Sequence, residues 1–170
     1  QCGNTAIHLN RMNKAARDQK KERPIDIARE ESRRIKELTG KLPLRLHIVG
    51  DCKTARAASI VSKAAEKHME KHGQAIWTYT HSWKDVPREK WNGVSVLASC
   101  ETIKECKHAM KRGYAAAIVR IKPFEKSFDY KDLRMIACPG LTKGTKCNEC
   151  KKCWMDKTLM KSNKVICFFP

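Results

Sequence analysis

Short apolar runs alternate with amphipathic stretches along most of the chain, and this alternation limits the folds that the chain can adopt. The clearest apolar runs fall at residues 42–51, 75–83, 94–99 and 114–121. Between them, residues 54–72 and 101–112 carry apolar side chains at helical spacing, and each stretch stops at a glycine. Such alternation predicts parallel pairing of the strands. We therefore expect an α/β fold with a mostly parallel sheet or partial barrel of four to five strands.

Weaker signals extend this pattern toward both ends of the chain. A run at 133–138 is a candidate fifth strand, and VICFF at 165–169 is a candidate last short strand. Helix-forming residues cover 11–39 on both sides of Pro24. We predict one compact domain made of an N-terminal helical segment, an α/β core and a C-terminal metal-binding segment. Their bounds are 1–41, 42–137 and 138–170.

The charge balance is strongly basic, with 36 Lys+Arg against 18 Asp+Glu and a net charge of +18. A surface of this charge attracts polyanions, and nucleic acid, DNA or RNA, is the commonest polyanionic partner. A protein that is merely rich in lysine is the alternative, because composition does not show clustering on one face. No stretch of about 18 apolar residues and no signal-peptide pattern is present, so we predict a cytoplasmic protein without a membrane partner.

Four of the nine cysteines lie in the segment CPGLTKGTKCNECKKC, with the spacing Cys-x8-Cys-x2-Cys-x2-Cys. They are Cys138, Cys147, Cys150 and Cys153. A Cys-x2-Cys pair can direct two thiolates at one centre across a tight turn, and three such cysteines in succession wrap the chain around that centre. The spacing therefore predicts a metal site with these four ligands.

The type of metal follows less directly from the spacing. A Cys-x2-Cys-x2-Cys run with a fourth cysteine followed by proline is the bacterial ferredoxin pattern, although there the fourth cysteine lies close downstream, whereas Cys138 precedes the run. On this likeness we favour a four-iron (4Fe-4S) iron–sulfur cluster. Zinc is the alternative, and a site without metal is the third option. Cys106 and Cys167 lie in apolar surroundings and are expected to pack as small hydrophobic side chains. Cys52 and Cys100 follow strand ends, and their role stays open.

Basic residues beside the cysteines and near the aromatic residues are the candidate contacts for nucleic acid. Four lysines surround the predicted ligands: Lys143, Lys146, Lys151 and Lys152. Some of them could instead offset the negative charge of the thiolates. Trp83 and Arg88 belong to a second basic and aromatic stretch, where Trp83 could stack on a base. A tryptophan of the core is the alternative for Trp83.

Polar residues at the carboxyl ends of three predicted strands form the candidate catalytic set. They are Asp51, His81 and Ser99. The carboxyl ends of parallel strands lie at one edge of a sheet, where ligands bind, so these side chains could converge. His81 is then a candidate acid or base and Asp51 a candidate partner that orients it. Ordinary polar loop residues are the alternative, since no nucleophile motif accompanies them.

Several of these motifs occur together in one known family. LRLHIVGD, WTYTHSW, SVLASCE, RGYAAAIV and CPG…CNECKKC follow one another over roughly residues 42–155. In that order they resemble a family of phage- and plasmid-encoded cysteine-cluster proteins, and the order of strands and cysteines is distantly similar to radical-SAM-like partial barrels. The resemblance implies a mobile genetic element as the context. It carries no catalytic activity over to this chain.

Two functions are consistent with these observations. The first is a metal-cluster protein of a mobile genetic element that binds nucleic acid, in which the cluster shapes the basic C-terminal segment. The second is an iron–sulfur or zinc enzyme whose site lies at the carboxyl ends of the strands. The position of Asp51, His81 and Ser99 relative to the four cysteines distinguishes them.

Overall fold

Seven strands form one open sheet in the computed structural model, which describes residues 23–39, 42–47, 50–119 and 126–169. The strands are β1 (Leu44–Arg45), β2 (Ile76–Thr80), β3 (Ser95–Cys100), β4 (Ala115–Val119), β5 (Phe128–Tyr130), β6 (Leu133–Ala137) and β7 (Lys164–Phe168). Their order across the sheet is β1-β2-β3-β4-β7-β6-β5. Neighbouring strands are parallel except for the antiparallel pair β5 and β6. The predicted α/β class with a mostly parallel sheet is confirmed.

The sheet has more strands than the four to five that we predicted, and β5 accounts for part of the difference. β5 has three residues, and two of them, Asp129 and Tyr130, are exposed. It lies at the edge of the sheet and pairs with β6 on one side only. An exposed edge strand of this length needs no buried apolar run, so the hydrophobic pattern does not reveal it.

Six α-helices accompany the strands in the described part of the chain. They are α1 (Pro24–Glu37), α2 (Ala55–His72), α3 (Ile103–Lys111), α4 (Pro139–Thr142), α5 (Cys147–Cys150) and α6 (Asp156–Lys161). The first three pack their apolar residues into the main core on one side of the sheet, called the helical face below. α6 and Cys153 pack on the opposite side, called the cysteine face. Of the helix predicted over 11–39, residues 11–22 lie outside the described residues.

Local signals explain where the two central helices begin and end. The Thr54 side chain accepts a hydrogen bond from Ala57 N at 3.2 Å and caps α2. α2 ends at Gly73, whose φ of +65° is a conformation that glycine adopts without strain. At α3, Thr102 Oγ1 accepts from Glu105 N while Glu105 Oε2 accepts from Glu101 N, which is a capping-box arrangement. Both helices therefore lie close to their predicted positions.

The connection from β2 to β3 is made by two short 3₁₀ helices, Ser82–Lys84 and Arg88–Trp91, instead of an α-helix. Trp91 is fully buried, and its Nε1–H donates to the hydroxyl of Tyr114 at 3.1 Å. Tyr114 in turn donates to the carbonyl of Val86 at 2.8 Å. The polar atoms of these large side chains are satisfied inside the core, as burial requires.

The C-terminal segment completes the sheet. β7 lies between β4 and β6 and is parallel to both, with Ile166 opposite Ala117 and Ile136. The last predicted strand is therefore a central strand of the fold. The predicted boundary at residue 138 separates the cysteine segment from the earlier strands in sequence, but residues 164–168 return to the middle of the same sheet.

Candidate metal centre

The first of the four candidate ligands is held by the sheet. Cys138 directly follows β6, and its backbone N–H donates to the carbonyl of Cys167 at 2.9 Å, which extends the pairing of β6 with β7. Its own carbonyl accepts from Leu141 N and Thr142 N and begins α4. A Cβ atom on Gly140 would lie 3.3 Å from the carbonyl oxygen of Thr145 and 3.6 Å from Cys138 Sγ. Glycine thus leaves room beside the thiol.

The next two candidate ligands occupy a single helical turn. Cys147 and Cys150 are the first and last residues of α5, so they project from the same side of the turn. Lys151 follows in a left-handed conformation, with a φ of +55°, and its N–H donates to the carbonyl of Cys147 at 2.9 Å. This reversal redirects the chain into a 3₁₀ turn, Lys152–Trp154, which carries Cys153.

Two side chains of the sheet hold Cys153, the last of the four candidate ligands. The hydroxyl of Tyr79 on β2 donates to Cys153 Sγ at 3.0 Å, and Ser95 Oγ on β3 donates to the carbonyl of Cys153 at 2.9 Å. The next residue, Trp154, stacks at a tilt on Trp77, with ring centroids 5.5 Å apart. Residues of two central strands therefore fix the last turn of the cysteine segment against the cysteine face.

The surroundings of Cys153 raise the pKa of its thiol to about 11 in all. Burial is the largest cause and raises this pKa, the hydrogen bond from Tyr79 lowers it, and the charges of Cys138, Cys147 and Cys150 raise it. Cys153 is therefore a neutral thiol near pH 7 when it binds no metal. No three of these four sulfurs, all of them described, lie within 4.8 Å of one another.

A second group of potential metal ligands lies on the helical face. Glu31 of α1, His47 after β1 and Cys52 before α2 place one ligand atom each within 4.8 Å of the others. His47 Nε2 lies 3.0 Å from Glu31 Oε1 and 3.6 Å from Cys52 Sγ, and its Nδ1 lies 3.2 Å from Thr78 Oγ1. Nitrogen, oxygen and sulfur donors at this spacing could hold a metal ion.

The electrostatics of this second group are dominated by its acidic members. Burial alone lowers the pKa of His47, but the hydrogen bond and charge of Glu31, with the charge of Asp51, raise that pKa above its ordinary value. Burial, with the same two carboxylates, also raises the pKa of the Cys52 thiol. The group is therefore an electronegative and largely buried position that favours a cation.

The structure places two of the three candidate catalytic residues, Asp51 and His81, next to each other. The contact joins the side chain of Asp51 to the backbone of His81. The Asp51 carboxylate accepts from Thr80 Oγ1 at 2.8 Å, His81 N at 2.7 Å and Ser82 N at 2.9 Å. Its oxygens are thus engaged by the end of β2, and His81 meets Asp51 through its backbone. Ser99 is half-buried, and alternation along β3 places its side chain on the cysteine face, away from Asp51.

Trp83 and Arg88, the predicted contacts for nucleic acid in the β2–β3 connection, lie inside the protein. Trp83 is 1% exposed, and its Nε1–H donates to the carbonyl of Ser99 at 3.0 Å. Arg88 forms an ion pair with Asp156 of α6, and the two side chains are 13% and 9% exposed. In this structure neither side chain offers a free surface to a base or a phosphate, because the connection packs onto the core and buries both.

A groove of about 650 Å³ on the described surface is lined by lysines. It lies between α3, the start of the β2–β3 connection and the turn that joins β5 to β6. Its lysines are Lys84, Lys104, Lys107, Lys111 and Lys131, and Tyr130 and His108 line it with them. Within the described residues, salt bridges to Glu105 and Asp132 engage only Lys84 and Lys107. The other three lysines leave this surface, called the lysine groove below, strongly positive.

The sequence patterns do not single out the lysine groove or the pairing of Glu31 with Cys52. Three of the groove lysines follow helical spacing on α3, which also fits an ordinary solvated face. Alternation along the first predicted strand places His47 and Asp51 on the same face. Glu31, however, lies sixteen residues away from His47 in sequence. No local pattern connects residues so far apart.

Comparison with known proteins gives no family assignment, since no family model, curated protein or solved structure matches the chain. The function must therefore be argued from the geometry of the molecule. Among the described residues, no helix combines the length and the apolarity that crossing a membrane requires.

Proposed function

We propose that the protein is a metal-cluster protein that binds nucleic acid, with Cys138, Cys147, Cys150 and Cys153 as ligands of an iron–sulfur cluster. The observation that carries the proposal is the placement of the four cysteines on the cysteine face: one helical turn carries Cys147 and Cys150, and the sheet holds Cys138 and Cys153. Cysteine thiols gathered in one short segment can release their protons to a metal. A metal centre bound by thiolates offsets the negative charge that results.

The order of the cysteines in the sequence favours a cluster over a single zinc ion. Cys147, Cys150 and Cys153 form a Cys-x2-Cys-x2-Cys run of the kind that binds iron–sulfur clusters, whereas structural zinc sites usually combine two cysteine pairs separated by a longer loop. In a four-iron cluster each thiolate binds a different iron atom. Zinc is the alternative, and metal analysis decides between the two.

Anaerobic purification followed by absorption spectroscopy and metal analysis tests this part of the proposal. We expect roughly four irons per chain with inorganic sulfide. Cys150→Ser should lose most of the iron, whereas Cys106→Ala, which removes a buried thiol from the helical face, should keep it. One zinc per chain without iron would contradict the iron–sulfur assignment. A folded native protein without metal would contradict the site itself.

The lysine groove supports the proposed binding of nucleic acid. Three of its lysines have no salt bridge within the described part of the chain, so their charge is available to phosphates. Tyr130 lies at the same groove and is exposed, so its ring can stack on an unpaired base. The lysines beside the cysteines, Lys143, Lys146, Lys151 and Lys152, form the second basic region, on the cysteine face. The resemblance to phage and plasmid proteins fits a role in a mobile genetic element.

Two pairs of substitutions distinguish the two basic regions. Binding of a fluorescent single-stranded DNA or RNA is measured over a series of salt concentrations. If the groove makes the contacts, Lys104→Gln/Lys111→Gln lowers affinity and reduces the slope of log K against log salt by about 1.4, near 0.7 per phosphate contact on a single strand. Lys143→Gln/Lys146→Gln then changes little, and the reverse result would place the nucleic acid on the cysteine face. Absence of salt-dependent binding in the native protein would contradict the proposal.

A further inference from the structure

Glu31, His47 and Cys52 come from three separate elements that meet near the β1 edge of the sheet, where α1 packs against α2. The carboxylate comes from α1, the imidazole from the residue after Leu46 and the thiol from the loop that precedes α2. His47 and Cys52 are buried, whereas the side chain of Glu31 is 27% exposed. The group thus has a protected interior and one side that opens to solvent.

The hydrogen bonds of Thr78 determine which nitrogen of His47 faces the other two residues. The single hydroxyl proton of Thr78 goes to the carbonyl of Leu46 at 3.1 Å or to that of Tyr79 at 3.2 Å. The same hydroxyl lies 3.2 Å from His47 Nδ1 and so holds the imidazole ring in place. Nε2 is therefore directed at Glu31 and Cys52.

Three potential donor atoms for a metal consequently meet at short range. His47 Nε2 and Glu31 Oε1 lie 3.0 Å apart, so a proton or a metal ion held between them would satisfy both atoms. A proton there would satisfy the histidine and the carboxylate alone. A metal ion would also use Cys52 Sγ, which lies 3.6 Å from Nε2. A hydrogen bond to the other ring nitrogen usually orients a histidine that binds a metal.

The distances fit a small tetrahedral ion. Bond lengths of about 2.0–2.3 Å to zinc place nitrogen and oxygen ligands about 3.3 Å apart and nitrogen and sulfur ligands about 3.6 Å apart. The observed separations are 3.0 Å and 3.6 Å. A mixed set of imidazole, thiolate and carboxylate donors excludes the hard cations Mg²⁺ and Ca²⁺, which prefer oxygen ligands.

We infer that Glu31, His47 and Cys52 bind one divalent transition-metal ion of the zinc class, separately from the four cysteines of the opposite face. Three protein ligands leave a fourth position, beside the exposed side of Glu31, for water or another ligand. The ion would connect α1 to the edge strand β1 and to the loop before α2. It would therefore stabilise the docking of the first described helix on the sheet.

Glu31→Gln is compared with Glu30→Gln in a calorimetric titration of the full chain with Zn²⁺, after treatment with a chelator. Each variant removes one carboxylate charge from α1, but Glu30 binds Arg33 and Arg34 instead of His47. We expect Glu31→Gln to bind zinc at this site roughly tenfold or more weakly, and Glu30→Gln to match the native protein. Equal zinc binding by the two variants would overturn the inference.

Cys52→Ala and Cys106→Ala form a second matched pair, since both remove a buried thiol from the same core. Cys52→Ala should lose the one zinc ion per chain (the zinc equivalent) whose binding Glu31→Gln weakens, while Cys106→Ala should retain it. If the two sites are independent, Cys150→Ser also retains this zinc equivalent. The test of the zinc site therefore does not depend on the proposed iron–sulfur cluster. Retention of the equivalent in both Cys52→Ala and Glu31→Gln would overturn the inference even if the cluster is absent.

Discussion

The ion pair between Arg88 and Asp156 is expected to contribute more to stability than any other salt bridge described for this protein. Asp156 Oδ2 accepts from Arg88 Nε at 3.1 Å and from Val96 N at 3.2 Å, and Arg88 Nη2 also donates to the carbonyl of Val94 at 2.8 Å. The pair joins α6 on the cysteine face to the β2–β3 connection and to β3. It is the most buried ion pair in the described part of the chain.

Asp156→Asn should therefore destabilise the protein strongly. The variant keeps the size of the side chain but leaves the Arg88 guanidinium buried without its counter-charge. Removal of one partner from a buried pair costs about 3–5 kcal/mol. For a chain of this size, that loss corresponds to a fall in Tm of roughly 6–20 °C. Urea denaturation followed by tryptophan fluorescence measures the loss directly.

The exposed pair Arg134–Asp129 provides the control for this prediction. Its side chains are 42% and 71% exposed, so Asp129→Asn should cost only about 0–1 kcal/mol. If Asp156→Asn costs no more than Asp129→Asn, the pair is not buried as the structure has it and the reasoning is wrong.

Three further predictions follow from individual contacts. Trp83→Ala should destabilise the protein by about 3–5 kcal/mol in urea denaturation because Trp83 fills the core, and a loss near zero would contradict its burial. Tyr79→Phe removes the hydrogen bond that lowers the pKa of Cys153, so that pKa should rise above about 11. Alkylation of Cys153 in the metal-free protein should therefore slow, and a faster reaction would contradict the contact. Metal must displace protons from these thiols, so uptake by the four cysteines should weaken as pH falls, and a metal affinity independent of pH would argue against thiolate ligands.

Local patterns in the sequence are sufficient to predict much of the secondary structure. The helix over 54–72 can be predicted because its apolar stripe, its Thr54 cap and the glycine at its end are all encoded within a few residues of one another. β3 and β4 can be predicted because strands covered on both faces are continuous apolar runs. The spacing of the four cysteines likewise predicts a metal site, because all four candidate ligands belong to one short segment of the chain.

Only the tertiary structure decided where these elements lie relative to one another. β7 follows β6 in sequence but lies between β4 and β6, a position that no local pattern specifies. The burial of Trp83 and Arg88 likewise depends on the packing of the β2–β3 connection and on Asp156, sixty-eight residues away from Arg88.

The candidate sites show the same division between local and long-range information. The cysteine motif is visible because Cys147, Cys150 and Cys153 are close in sequence, and helical turns convert that spacing directly into proximity. Glu31, His47 and Cys52 meet only because α1 packs against α2, and this packing depends on burial of the apolar side chains of α1. A hydrophobic contact of that kind is non-directional, so the sequence predicts that the helix packs but does not specify which polar residues its packing brings together.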